Sequence, residues 1–74
     1  MKLSEAISKR IHMLCQERGI STEQLVAKVN ADRYEVVAVI KGHGPAPLNI
    51  MGGICLALGV IMSEFFHHSL FESF

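Results

Sequence analysis

An all-α fold, a bundle of five short helices, is the fold class this sequence predicts, and two kinds of observation predict it. Apolar residues recur at helical spacing in segment after segment, most cleanly at Ile7, Ile11, Leu14 and Cys15. Between those segments stand residues that start and stop helices. Ser21 and Asp32 each precede a capping-box partner by three positions, Gln24 and Glu35. Gly19, Gly42 and Gly59 sit where a helix exit needs left-handed backbone.

The first helix is expected from a cap at Ser4 to about Arg18. Ile7, Ile11, Leu14 and Cys15 form its single apolar stripe, and Lys9, Arg10 and Glu17 lie off it. His12 and Met13 flank the stripe, with His12 read as a solvated surface residue. Gly19 ends the helix, and Ile20 folds back toward the core.

Helix two starts at the Ser21 cap and buries Leu25, Val26 and Val29. Asn30 follows as a residue able to take the left-handed exit. Asp32 opens helix three, whose apolar face is Val36, Val39 and Ile40 and whose end is Gly42. Two short helices joined by so brief a turn must cross steeply, which is the helix-turn-helix geometry. In that geometry the second helix can enter the major groove of DNA, N-terminal residues foremost. An ordinary helical hairpin carries the same local pattern.

The run from Lys41 to Pro47 is a loop, because its glycines and prolines forbid a continuous helix. Its Gly-x-Gly is no phosphate loop, since it follows no strand and lacks the lysine and hydroxyl of that motif. Pro47 suits the first turn of helix four. Leu48, Met51, Ile54, Cys55 and Leu58 are its expected buried face. Gly52 and Gly53 in its interior cost roughly 1 kcal/mol each relative to alanine, so a close neighbour or local weakness is expected there. Val60 to Phe66 reads as a fifth helix, followed by a tail to Phe74.

Size and composition bound the rest. A chain of 74 residues is one domain with a modest core. Half of its residues are hydrophobic, so part of the apolar surface is expected in a subunit interface. All four phenylalanines, Phe65, Phe66, Phe71 and Phe74, fall near the C-terminus. With Leu70 they make residues 61–74 a dimerisation tail, the alternative being a tail folded back on its own core. No apolar run reaches the ~20 residues of a membrane span, and MKLSEAISKR holds no signal-peptide block, so a cytoplasmic protein is expected. Cys15 and Cys55 read as reduced core thiols, with a disulfide or redox switch as the alternative. The adjacent pair His67-His68 lacks a third ligand at metal spacing, and no residue set resembles a catalytic constellation. No enzyme activity, cofactor, metal or small-molecule ligand is expected.

Net charge is zero, but it is unevenly spread. Lys2, Lys9, Arg10, Arg18, Lys28, Arg33 and Lys41 all precede Gly42, and only Glu64 and Glu72 are charged after it. A DNA-facing half and a partner-facing half have this distribution.

The chain resembles the Cro/phage-repressor type of helix-turn-helix regulator, the xenobiotic-response-element type with a lambda-repressor-like fold. The matching features are KRI-x-x-LC-x-ERGIS at Lys9–Ser21 and EQL-x-x-K at Glu23–Lys28. They continue with the GHGPAPL loop, IC-x-ALGV at Ile54–Val60 and SEFF at Ser63–Phe66. It is similar above all to small stand-alone regulators of Gram-positive bacteria that end in LSEFF and a short Leu-Phe tail. The resemblance implies a five-helix fold, usually dimeric, that binds operator DNA to regulate transcription.

Carried onto this chain, it implies that Arg33, Tyr34, Val37 and Ala38 face the groove. Thr22 takes the position that usually touches a phosphate or base, and Lys41 and His43 lie near the backbone. Lys9, Arg10 and Lys28 are the further phosphate contacts. Arg33 is the one obvious base reader, able to hold guanine bidentately. Where many relatives pair a buried arginine with a glutamate, this chain has Cys15 and Ile40, both apolar. Losing both partners together orphans no charge. The rival expectation is a protein-interaction module of the same fold, antirepressor or antitoxin-like, with weak or no DNA binding.

Overall fold

A computed structural model of the chain describes residues 1–72 and 74. These form five α-helices: α1 (Leu3–Arg18), α2 (Thr22–Lys28), α3 (Arg33–Lys41), α4 (Leu48–Leu58) and α5 (Met62–Phe66). A 3₁₀ turn at Ser69–Phe71 follows. The fold is all-α among the described residues, with principal extents of 31 × 24 × 17 Å. None of the helices is long and apolar enough to cross a membrane.

Local chemistry sets most of the helix ends. Ser21 Oγ accepts from Gln24 N–H, and Gln24 Oε1 accepts from Ser21 N–H, which completes the expected capping box. Asp32 Oδ1 accepts from Glu35 N–H at 3.1 Å, without the reciprocal Glu35 side-chain bond that the expected capping box would add. Gly19, Gly42 and Gly59 all adopt positive φ and close α1, α3 and α4. Gly42 is constrained twice: its φ is +77°, and a Cβ there would come within 3.3 Å of both the Ser4 carbonyl and Ser8 Cβ. The same corner is tied by Ser8 Oγ donating to the Ile40 carbonyl at 2.6 Å.

Four local expectations are corrected. Helix α1 begins after Lys2 rather than at a Ser4 cap, and Lys2 makes no side-chain cap bond. The exit from α2 runs through Val29 in extended backbone, and among the described residues none other than glycine has positive φ, so Asn30 is not left-handed. Helix α5 starts at Met62, not Val60. On α4, Leu48 is exposed and Ile50 is buried in its place. The helix has apolar residues all round, so its core-facing side is chosen by its neighbours and not by its own periodicity.

One core joins the five helices. Ile7, Ile11, Leu14 and Cys15 of α1 meet Leu25 and Val29, then Val36, Val39 and Ile40, then Ile50, Met51, Ile54, Cys55 and Leu58, and finally Phe65. Cys15 and Ile40 are both buried. Helix α1 packs against α2, α3, α4 and the 3₁₀ turn, and so forms the spine. Gly53 faces Val29: a Cβ there would sit 3.0 Å from Val29 Cγ1, so this glycine lets α4 lie close to the exit of α2.

The tail folds back on α1, which corrects the expectation for Phe65. Phe65 is fully buried in the chain's own core, so it is not an interface residue. Phe66 meets Phe65 and Phe71 edge to face, each at a centroid distance of 4.9 Å. That geometry suits the ring quadrupoles. Leu70 and Phe71 are half-buried, while Phe66 and Phe74 retain exposed surface.

Cys15 and Cys55 are free and buried, without a disulfide. Burial pushes both thiols above the ordinary value of 9.0; at Cys15 the nearby Arg18 partly offsets it. The folded state thus favours the neutral thiol. Their contribution to stability is fully present below pH 9 and is lost as pH rises through the ordinary value of 9.0 toward the raised folded values. At pH 8, alkylation of the native chain is expected to be far slower than in denaturant. Equal rates would show that the thiols are open to solvent.

Candidate nucleic-acid interface

The unit built by α2 and α3 carries the candidate site. Only residues 29–32 separate the two helices. Val29 is anchored in the core by its side chain, and Asp32 caps α3, so both ends of the turn are held. Arg33 and Tyr34 are then the first two residues of α3. Both side chains are exposed, Tyr34 at 86%. Asp32 spends one carboxylate oxygen on the helix N-terminus, which lowers its cost beside an anionic ligand.

Thr22, Arg33, Val37 and Lys41 line one cleft of about 340 Å³ between the start of α2 and the side of α3. Four of the expected contact residues are therefore neighbours in space. Glu23 and His12 share the cleft. Glu23 puts a carboxylate beside two cations. Ala38 is half-buried, and its carbonyl accepts from His43 N–H at 2.8 Å, which fixes the start of the loop after α3. Lys9, Lys28 and His43 are exposed but outside the cleft.

Arg10 is engaged within the chain. Its Nε donates to the Phe65 carbonyl at 2.8 Å and its Nη2 to the Glu64 carbonyl at 3.0 Å. A guanidinium at the last carbonyls of a helix complements the helix dipole, and at Glu64 it adds to the His67 N–H that the carbonyl already accepts. Arg10 thus fastens α5 to α1 instead of standing free for phosphate. Arg18 does the same for α4, donating from Nε to the Leu58 carbonyl at 2.6 Å. The two arginines lie about two turns apart along α1, on similar sides of the helix. That spacing was visible in the sequence, but their acceptors are backbone atoms 40 and 55 positions away.

A larger hollow of about 530 Å³ lies between α1 and α5. It is lined by these two arginines together with Glu17, Ser63, Glu64 and His67. Among the described residues no group of three or more histidine, cysteine, aspartate or glutamate side chains could hold a metal. Compared with known protein families, curated proteins and solved structures, the chain matches none.

Proposed function

We propose that this chain is a sequence-specific DNA-binding transcriptional regulator that acts as a homodimer on an operator, with α2 and α3 as its helix-turn-helix. The observation that carries the reading is the pair Arg33 and Tyr34, exposed at the start of a capped helix that is held at both ends of a short turn. A helix presented this way offers its N-terminal side chains to base edges. Arg33 reads guanine through two parallel hydrogen bonds. Tyr34 supplies a second base contact, and Val37 and Ala38 offer apolar surface to a thymine methyl. Thr22, Lys9, Lys28, Lys41 and His43 serve the phosphate backbone, which sets register without reading sequence.

One observation favours a second reading. Asp32, Glu35 and Glu23 are exposed among the cations of the α2–α3 unit, and Arg10 is engaged with backbone carbonyls. The basic surface is therefore interrupted, as suits a protein-interaction module of the same fold. Selection of binding duplexes from a random pool separates the two. The regulator reading predicts enrichment of a two-fold symmetric site with half-sites about one helical turn apart. Recovery of no common sequence from folded protein favours the interaction module.

A further inference from the structure

The outward side of α4 is not used by the core or by the α2–α3 cleft. Leu48 and Leu56 are 79% and 83% exposed, and Gly52 lies midway between them. Spacings of four place the three residues on one side of the helix, a turn apart. Ile61, just before α5, is also exposed at 64%. The two glycines of α4 differ in kind. Gly53 makes room for Val29, whereas a Cβ on Gly52 would meet nothing within 4 Å. Gly52 has helical backbone without positive φ, so neither conformation nor packing within the chain requires it. Glycine weakens a helix interior, and an open notch flanked by two bare leucines is a reason for it that lies outside the single chain.

We propose that a second copy of this chain docks here, the two α4 helices crossing antiparallel at Gly52. The inference rests on the homodimeric reading above and names its interface. Leu48-x-x-x-Gly52-x-x-x-Leu56 is symmetric about its glycine. A two-fold axis at Gly52 sets Leu48 of each copy beside Leu56 of the other, the reciprocity that a two-fold contact requires. The absence of a Cβ at the crossing lets the backbones approach closely. No residue of α4 is charged, so two copies meet without repulsion, and no charge calls for a partner of opposite sign.

The exposed surface of Leu48 and Leu56, with Ile61 in addition, is on the order of a few hundred Å², the scale at which bare apolar surface marks an association site. It falls short of the roughly 800 Å² per partner in a standard interface. A dimer of that area dissociates on dilution and is reinforced when both copies share one DNA site.

The test is sedimentation velocity of the full chain without DNA, over about 2 to 500 µM, a range that brackets micromolar affinity. The expected result is a concentration-dependent shift from monomer to dimer. Leu56→Lys and Leu48→Glu each weaken self-association at least ~10-fold while helical circular dichroism is unchanged, because both positions are exposed. An equimolar mixture of the two variants restores dimer, since each mixed pair sets one Glu against one Lys and one Leu against one Leu. Gly52→Leu keeps the fold, having open space, and blocks the crossing.

A monomer at every concentration overturns the proposal. So does self-association unchanged in Leu56→Lys and Gly52→Leu, or a dimer that Phe74→Ser dissociates and the α4 variants leave intact. A chain that dimerises through α4 but ignores DNA supports this interface and overturns the regulator reading alone.

Discussion

Replacing Phe65 by alanine is expected to remove about half of the chain's stability or more. Phe65 is fully buried and joins α5 to the common core. Its ring also meets Phe66 at 4.9 Å and Phe71 at 6.2 Å, and its carbonyl accepts from Arg10. A buried Phe→Ala change costs about 3–5 kcal/mol, and loss of the aromatic contacts adds about 0.5–1.5 kcal/mol. A domain of this length has about 4–11 kcal/mol in total. Helix α5 has five residues, too few to persist without packing. Urea denaturation checks this: the midpoint is expected to fall by half or more, or the cooperative transition to vanish. A loss below about 1 kcal/mol would show that the tail is peripheral to the fold.

The second large effect is expected at Arg33. Arg33→Ala removes an exposed side chain and is expected to leave stability within about 0.5 kcal/mol. On DNA it relaxes discrimination at one base step by about 1–3 kcal/mol, the worth of a good bidentate contact. Lys28→Ala acts differently, weakening binding to every duplex alike and reducing the salt dependence. Competition between the selected site and single-base variants distinguishes the two patterns. Operator discrimination unchanged in Arg33→Ala would show that α3 does not lie in the groove as assigned.

What was legible in the sequence is the chemistry that acts between near neighbours. The Ser21–Gln24 box, the Asp32 cap and the three glycine exits depend on residues within a few positions, and each stands as read. Boundaries without a side-chain signal were not legible. At the start of α1, Lys2 holds the cap position with no side-chain bond to announce it. Asn30 tolerates a left-handed exit without requiring one, and the chain leaves α2 extended.

Faces were legible where a helix has two unlike sides. Helix α1 buries Ile7, Ile11, Leu14 and Cys15, together with Ala6, because most of its other positions are polar or charged. Helix α4 is apolar all round, so the choice of Ile50 over Leu48 comes from packing against α1, α2, α3 and α5. The same ambiguity hid the Leu48–Gly52–Leu56 face. At the candidate site, Thr22, Arg33, Val37 and Lys41 do converge on one cleft. The bonds of Arg10 to α5 were not legible because their acceptors are carbonyls, and no side-chain pattern encodes a backbone acceptor at that distance.

Fluorescence anisotropy of the selected duplex, titrated with the full chain at about 50 mM and 200 mM salt against unrelated competitor, tests the regulator reading most directly. In this reading Lys9, Lys28 and Lys41 are three phosphate cations per copy, with Arg33 as a fourth cation in the groove. A dimer that neutralises roughly six phosphates loses affinity about 10³-fold between those two salt concentrations. The account predicts tight binding at the lower salt, survival against competitor and a drop of that order at the higher. Folded protein that binds no duplex at low salt, or binds unrelated DNA equally well, contradicts it.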